Sequence, residues 1–206
     1  MLKVGLTGGL ACGKSFVGEA LAGYGCLLIQ ADELGHEVLA PGGEAYEPVV
    51  KEFGRDILME DGSSAGFSID RRELAARVFG SPERLARLNA LVHPCVFRRE
   101  EDLIARFAQR EPNGIAVVEA AILIETGSHK RFDRLILVTC AEEQQVERAM
   151  NRTGAVEQDV RARLSRQMPL DAKRKFADFV IDTSGSKEDT LRQTRAVYES
   201  LRRIQP

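Results

Sequence analysis

Glycine, lysine and serine residues near the start of the chain have the spacing Gly8-x-x-x-x-Gly13-Lys14-Ser15. In such a loop the backbone N–H groups converge on a phosphate, and the N-terminus of the following helix adds its dipole. The lysine reaches the β- and γ-phosphates of a nucleotide, and the serine hydroxyl binds Mg²⁺. We expect nucleotide contacts along the whole stretch: Gly8, Gly9, Leu10, Ala11, Cys12, Gly13, Lys14, Ser15 and Phe16.

Asp32 follows an apolar run that is typical of a buried strand, "CLLIQAD". The carboxyl ends of parallel strands form the edge of a sheet where ligands bind. A carboxylate at that edge can orient an acceptor hydroxyl and take its proton. Asp32 can also act as the N-cap of the helix that begins with "ELGHEVL", and the two roles are compatible.

Glu119 ends a second apolar run, "GIAVVE". If this strand lies beside the first strand, Glu119 faces the Mg²⁺ site. It can then hold a water molecule of the ion or act as the base in place of Asp32. A carboxylate that merely lies at the sheet edge is the alternative.

Five apolar runs indicate the element that positions these residues. Continuous apolar runs suit strands that are buried on both faces of a parallel sheet. They alternate with helical patterns, which indicates an α/β fold. We therefore predict a three-layer P-loop NTPase fold, with a five-stranded parallel sheet flanked by helices. The runs are "LKVGLT", "CLLIQAD", "GIAVVEAAIL", "RLILVTC" and "FADFVID".

The second connection is long, at roughly 80 residues where a βαβ crossover needs about a dozen. We interpret residues 33–113 as an inserted helical domain that binds the acceptor. "PERLARLNALV" and "VFRREEDLIARF" are its clearest helical patterns. Between them, His93 and Pro94 form either a turn with a capping histidine or a histidine that faces the acceptor pocket.

An arginine-rich segment, residues 141–175, precedes the last strand and is predicted to be a helical lid. Most of its basic side chains are expected to lie in solvent, as on an ordinary helix face. The nucleotide-binding core then comprises residues 1–32, 114–140 and 176–206. Glu125, which follows the third run, suits a structural role in a loop or a substrate contact.

Composition excludes several classes of protein. The formal net charge is −2 over 206 residues, so no global basic field would attract nucleic acid. No apolar run approaches the roughly 20 residues that span a bilayer, and the N-terminus lacks the pattern of a signal peptide. The four cysteines are scattered without a C-x-x-C spacing, which predicts neither a zinc site nor a disulfide framework. We expect a cytoplasmic protein without a membrane or nucleic-acid partner, and a monomer is favoured.

The sequence also restricts the kind of nucleotide-binding protein. No guanine-reading N-K-x-D follows "LVTC", which excludes a regulatory GTPase, and motor or transporter ATPases are usually larger. The insert and the arginine-rich segment favour a small-molecule kinase, in which lid arginines stabilise the transferring phosphoryl group. Another kinase of the nucleoside monophosphate type is one alternative. A catalytically silent nucleotide-binding regulatory protein is an alternative of a different class.

Stretches along nearly the whole chain resemble the dephospho-CoA kinase family. The resemblance implies ATP-dependent phosphorylation of the ribose 3′-hydroxyl of dephospho-CoA, with Mg²⁺, to give CoA and ADP in the final step of coenzyme A biosynthesis. It also implies that the insert binds CoA and that the arginine-rich segment is the lid. The matching stretches are "VGLTGGLACGKS", "QADELGHEVLAPGGEAYEPVVKEFG", "IDRRELAARVFGSPERLARLNALVHP", "EAAILIETGSHKRFDRLILV", "QVERAMNRTG", "RLSRQM" and "ADFVIDTSGS".

The resemblance assigns expected roles to particular residues. Asp32 matches the acidic residue proposed to activate the 3′-hydroxyl, while the phosphate-loop motif itself makes Lys14 the residue that neutralises charge on the transferring phosphate. His93 lies in the H-P pair of the acceptor domain. Arg148 and Arg152 fall in the lid block, where Arg152 is the first choice for contact with ATP in catalysis.

Several positions depart from the family pattern. Gln30 stands where the family often has the first Asp of D-A-D. Glu119 stands where many members carry Asp, which favours a role for it in binding the metal or the substrate. Ala11 and Cys12 replace the usual Ser or Gly. Phe16 replaces a Thr whose hydroxyl is offered to the α-phosphate. We expect Phe16 to weaken ATP binding slightly and to pack against the sheet or the base side of the site.

Overall fold

The computed structural model describes residues 1–60, 62 and 66–204. The chain divides into two compact units, Met1–Gln30 with Ile104–Pro206, and Ala31–Leu103. The domain ranges that the sequence suggests stay a proposal. Along the described chain the elements are β1 (Leu2–Gly8), α1 (Lys14–Gly23), β2 (Leu27–Gln30), α2 (Ala31–Val38), α3 (Tyr46–Phe53), β3 (Leu58–Glu60), β4 (Phe67–Ile69), α4 (Arg71–Val78), α5 (Pro82–Arg110), β5 (Ile115–Glu119), β6 (Arg134–Thr139), α6 (Glu142–Thr153), α7 (Glu157–Leu164), α8 (Leu170–Arg174), β7 (Phe179–Asp182) and α9 (Lys187–Arg203).

The first unit contains a five-stranded sheet in the order β2-β5-β1-β6-β7. All four strand pairings are parallel, which confirms the predicted sheet. Leu6 of β1 and Gln30 of β2 both pair in register with Glu119 of β5. The strand that ends in Glu119 therefore lies directly beside the first strand, which fulfils the condition under which the sequence places Glu119 at the Mg²⁺ site.

Helices α1 and α9 cover one face of this sheet. Val17 and Leu21 of α1 and Leu201 of α9 are fully buried, and they join one core cluster with alternate residues of β1 such as Val4 and Leu6. Side chains alternate between the two faces of a strand, so the same strands also supply apolar residues to the opposite face. This packing fixes the carboxyl ends of β1 and β5, where the phosphate loop and Glu119 lie.

The unit Ala31–Leu103 is mostly helical, as predicted, and also contains a short antiparallel ribbon. Strands β3 and β4 have three residues each and pair from Leu58↔Ile69 to Glu60↔Phe67. The sequence gives no signal for this ribbon, because three residues are too few to show a period-two pattern. Residues 61 and 63–65, between the strands, lie outside the described residues.

Helix α5 runs without interruption through Pro94, so the turn, one of the two interpretations of His93-Pro94, is wrong. Proline lacks an N–H group, which leaves the carbonyl of Ala90 without its usual helical donor. Both Ala90 and Pro94 are exposed, so water can satisfy that carbonyl. Buried residues on the continuing helix, such as Val96 and Ile104, favour helix on the far side of the proline.

Within the described part of the chain, none of the helices combines the length and the apolar character that crossing a bilayer demands.

Candidate active site

The loop between β1 and α1 has the backbone geometry of a phosphate-binding loop. A Cβ atom on Gly8 would lie 2.4 Å from the Val138 carbonyl oxygen of β6, so only glycine fits there. Gly13 has φ +78°, the left-handed conformation that glycine adopts without strain, immediately before the helix begins. Ala11 also has a positive φ, +53°, which is uncommon for a residue with a side chain.

Lys14 and Ser15 begin α1, and both side chains bond within the site. The Lys14 Nζ donates to the Gly9 carbonyl oxygen at 3.0 Å, which keeps the ammonium group against the loop. The Ser15 Oγ donates to Glu119 Oε1 at 2.9 Å. The structure thus joins the predicted Mg²⁺ hydroxyl to the carboxylate at the end of β5.

Glu119 is a buried carboxylate, with 8% of the residue exposed. Besides Ser15, it accepts a longer hydrogen bond from Gln30 Nε2, at 3.5 Å from its Oε2 atom. Gln30 is one of the departures from the family pattern, and its uncharged amide can donate to Glu119 where a carboxylate could not. The sequence did not reveal this contact, which depends on β2 lying beside β5.

The residues of this corner suit Mg²⁺. A hydroxyl and a carboxylate are hard oxygen donors, and Mg²⁺ usually combines one or two carboxylates with water and substrate phosphates. No cluster of three or more His, Cys, Asp or Glu side chains suited to a metal occurs among the residues that the structure describes. Ser15 and Glu119 therefore fit an ion that phosphate oxygens and water would help to hold.

Phe16 is half-buried on α1, one residue beyond Ser15. The Lys187 Nζ lies 5.8 Å from the centre of its ring, at the start of α9. A cation at this distance from an aromatic face is attracted by the ring quadrupole. The contact brings a positive charge to the neighbourhood of the loop, and no pattern in the sequence predicts it.

Asp32 and His93 belong to the unit Ala31–Leu103. Helix α2 begins at Ala31, so Asp32 lies inside its first turn and does not precede it as an N-cap. Its side chain is exposed. His93 is half-buried on α5, where its ring contacts Phe97 with centroids 5.8 Å apart. Burial lowers the pKa of His93, which favours the neutral imidazole at neutral pH.

Arg148 and Arg152 both lie on α6 but have different surroundings. The Arg148 guanidinium donates to the Thr183 hydroxyl at 3.0 Å and to the Thr183 carbonyl at 2.8 Å. Thr183 in turn donates to the Cys12 carbonyl oxygen at 2.9 Å, so Arg148 supports the phosphate loop through one intermediate residue. Arg152 is exposed on the last turn of the helix.

The segment before α8 also contacts the loop. The Leu10 backbone N–H donates to Gln167 Oε1 at 3.0 Å. Leu10 and Ala11 pack against a small apolar cluster that includes Val146 of α6 and Val160 of α7. The arginine-rich segment is therefore attached to the phosphate loop by both polar and apolar contacts.

Lys173 is an exception to the expectation that most basic side chains of this segment lie in solvent. Its side chain is fully buried, and its Nζ lies 2.8 Å from Glu125 Oε1 and 3.2 Å from the Ala121 carbonyl oxygen. Glu125 Oε1 also accepts the Met168 backbone N–H at 3.3 Å. This ion pair connects the loop after β5 to the segment that precedes the last strand. No local pattern in the sequence could have revealed it.

A cavity of about 900 Å³ opens beside the loop. It lies at the carboxyl ends of β6 and β7 and is also bordered by residues of α7 and α8. This volume is within the usual range for small-molecule sites, about 300–1,000 Å³. Its walls include Gly9, Cys140, Gln145, Arg161, Arg174 and Asp182.

Comparisons with known proteins agree with this geometry. A family model described as dephospho-CoA kinase matches residues 2–189. The dephospho-CoA kinase of Aquifex aeolicus is 39% identical over 203 residues, which cover 98% of this chain and 99% of the relative. The dephospho-CoA kinase of Corynebacterium glutamicum is 40% identical over 203 residues, which cover 98% of this chain and 100% of the relative. TT1252 from Thermus thermophilus, whose crystal structure is known, is 31% identical in sequence. Its structure matches with a TM-score of 0.80, and the match covers 100% of this chain and 98% of TT1252.

Proposed function

The chain belongs to the dephospho-CoA kinase family, and from this premise we propose how its residues carry out the reaction. The protein phosphorylates dephospho-CoA with ATP in coenzyme A biosynthesis. The ribose 3′-hydroxyl is the acceptor in this proposal, and CoA and ADP are the products. The family match over residues 2–189 carries the conclusion, and the loop geometry at Gly8–Ser15 supports it.

The loop would bind the ATP phosphates through its backbone. Gly13 and the first turn of α1 present N–H groups at a helix N-terminus, where anions are favoured. Lys14 would exchange its contact with the Gly9 carbonyl for the β- and γ-phosphates, because an ammonium group pairs more strongly with an anion than with a neutral acceptor. The cavity beside Gly9 would take the nucleoside part of ATP.

Ser15 and Glu119 would hold Mg²⁺ at the carboxyl ends of β1 and β5. When bound, the ion neutralises charge on the β- and γ-phosphate oxygens. Ser15 is the direct ligand in this proposal, while Glu119 orients the Ser15 hydroxyl and contributes negative charge. The 2.9 Å hydrogen bond between the two side chains supports these separate roles, because the Ser15 hydroxyl donates its proton to Glu119.

Residues of the unit Ala31–Leu103 would bind the acceptor. Asp32 would accept the proton of the 3′-hydroxyl as that oxygen attacks the γ-phosphorus, because a carboxylate is a suitable general base. His93 would contact the acceptor as a neutral imidazole, which can both donate and accept a hydrogen bond.

Arginines of residues 141–175 would stabilise the transferring phosphoryl group. Arg152 is exposed and therefore able to reach ATP from α6. Arg148 is held by Thr183, so it would contribute charge and support the loop rather than move with a lid. Closure of this segment would also exclude water and limit hydrolysis of ATP.

A panel of acceptors tests the function. We expect ADP release from Mg²⁺-ATP to be stimulated by dephospho-CoA and not by AMP, CMP, GMP or shikimate. Analysis of the product by NMR should locate the new phosphate on the ribose 3′-oxygen. Stimulation by a nucleoside monophosphate alone would favour the other kinase class, and binding of ATP without turnover on any acceptor would favour a silent regulatory protein.

Changing Glu119 to Gln tests the Mg²⁺ site. The amide oxygen can still accept from Ser15, but the negative charge beside the ion is lost. We expect the Mg²⁺ concentration for half-maximal activity to rise about 10-fold or more, the usual scale for a partner that orients a metal ligand. Glu199→Gln, an exposed carboxylate of α9, is the matched control and should leave the Mg²⁺ dependence unchanged. An unaltered dependence in Glu119→Gln would remove Glu119 from the metal site.

A further inference from the structure

The sulfur atoms of Cys12 and Cys140 lie 3.5 Å apart, although 128 residues separate them in the sequence. Cys12 lies in the phosphate loop, and Cys140 follows the last residue of β6. The parallel pairing of β1 with β6 brings them together. All four cysteines are free thiols in the structure. We propose that Cys12 and Cys140 form a site of reversible oxidation, whose disulfide distorts the phosphate loop and suppresses ATP binding.

The two cysteines differ in access to solvent. Cys12 is completely buried, whereas Cys140 is 7% exposed and borders the cavity beside the loop. A small oxidant such as a hydroperoxide can therefore enter the cavity and meet Cys140 first. Cys12 is then in contact with the oxidised sulfur and protected from other reactants.

The electrostatic surroundings also favour Cys140 as the cysteine that reacts first. The hydrogen bond with Cys12 and the nearby Arg148 guanidinium lower the pKa of Cys140. The lowered pKa favours the thiolate form of Cys140, and the thiolate is the nucleophile. The contact with Cys140, together with burial, raises the pKa of Cys12, which favours the thiol. Cys140 is thus the attacking residue and Cys12 the resolving one.

The chemistry balances with a hydroperoxide as the oxidant. The Cys140 thiolate attacks the terminal peroxide oxygen, the O–O bond breaks, and a sulfenic acid forms with release of hydroxide or an alkoxide, which takes a proton from water. The Cys12 sulfur then attacks the Cys140 sulfur, and the sulfenic oxygen leaves as water with the Cys12 proton. Two thiols have been oxidised by two electrons, and the peroxide has been reduced. A dithiol reverses the reaction by thiol–disulfide exchange.

In this proposal, bond formation displaces atoms at the loop. A disulfide has a sulfur–sulfur distance of about 2.05 Å, so the two atoms must approach by roughly 1.5 Å. The Cys12 backbone has little freedom to follow, since its carbonyl accepts from Thr183 at 2.9 Å and its N–H donates to Gly9 at 3.3 Å. The strain therefore enters the loop whose N–H groups bind phosphate. A misplacement of about 1 Å in such a site can reduce turnover by about 10²-fold.

The two remaining cysteines provide internal controls. Burial raises the pKa of Cys26 to about 12, which suppresses its thiolate at neutral pH. The buried Cys95 thiol donates to the Leu91 carbonyl within α5 at 3.4 Å. Neither has a cysteine within hydrogen-bond distance among the contacts of the described residues. Mild oxidation should therefore leave both as thiols.

The test treats the full-length protein with a small excess of hydrogen peroxide. Remaining thiols are alkylated, and the digest is examined by mass spectrometry. We expect one linked peptide pair that contains Cys12 and Cys140, with Cys26 and Cys95 alkylated. This readout needs no kinase activity, so it stands even if the proposed function fails. Absence of the linked pair, or preferential oxidation of Cys26 or Cys95, would overturn the proposal.

The effect on the enzyme is measured on the same samples, and only this second readout rests on the proposed function. Activity of each protein is normalised to its own untreated sample. Oxidised wild type should lose activity by about 10-fold or more, because a small displacement of the phosphate-binding groups slows turnover strongly. Dithiothreitol should restore the activity. Cys26→Ala should respond like wild type. Cys140→Ala should form no disulfide and keep most of its own activity. Equal losses in Cys140→Ala, or full activity in the linked wild type, would contradict the switch.

Discussion

Replacing Asp32 with Asn is expected to reduce kcat with dephospho-CoA by about 10²-fold or more, because loss of a general base usually removes a factor of 10² to 10⁴. The amide keeps the size of the side chain but cannot take the proton of the acceptor hydroxyl. The KM for ATP should change little, since the proposed ATP contacts lie in the other unit of the chain. Steady-state kinetics with each substrate varied in turn would measure both effects.

Glu33→Gln is the matched control for this experiment. Glu33 is the other acidic residue in the first turn of α2, and it too is exposed. Loss of either charge weakens the favourable interaction with the helix dipole by a similar amount, about 0.3–1 kcal/mol. Only Asp32→Asn should therefore affect kcat strongly. A near-normal kcat for Asp32→Asn would exclude Asp32 as the base and leave Glu119 as the candidate.

Replacing Lys173 with Met is expected to lower the free energy of unfolding by about 3 kcal/mol or more. The change leaves the Glu125 carboxylate without the ammonium group that lies 2.8 Å away. Removing one partner of a buried ion pair typically destabilises a protein by about 3–5 kcal/mol. Glu125 is 22% exposed, which favours the lower end of this range. Urea denaturation followed by circular dichroism would measure the effect.

Two further variants separate the ion pair from other causes. Lys175→Met removes an exposed charge two residues away and should change stability by less than about 0.5 kcal/mol. Glu125→Gln in the Lys173→Met background removes the uncompensated charge and keeps an acceptor for Met168. The double variant should regain most of the lost stability. If Lys173→Met unfolds at the same urea concentration as wild type, the ion pair has no stabilising role.

Much of the fold and part of the site could be predicted because they depend on local patterns. The apolar runs are long enough to identify five parallel strands, and the loop motif fixes its own position between β1 and α1. Parallel strands place their carboxyl ends at one edge, which is why Glu119 could be expected near Ser15. Their 2.9 Å contact agrees with that expectation.

The contacts that the sequence could not reveal join residues from distant segments. Lys173 belongs to a stretch of basic residues that favours solvent, and only the fold brings it beneath the loop after β5, against Glu125. Cys12 and Cys140 have no motif spacing, and their contact follows from strand order alone. The path of α5 through Pro94 was missed for another reason, since tertiary packing outweighed the local preference of proline to end a helix.

Ala11 shows how a single methyl group can preorganise the phosphate loop. Its φ of +53° costs about 1–2 kcal/mol for a residue with a Cβ atom, but the side chain packs against the cluster of Val146 and Val160. Glycine would relieve the strain and would also allow many more backbone conformations. With alanine, the loop has less conformational entropy left to lose when a phosphate arrives, so more of the interaction energy remains available as affinity.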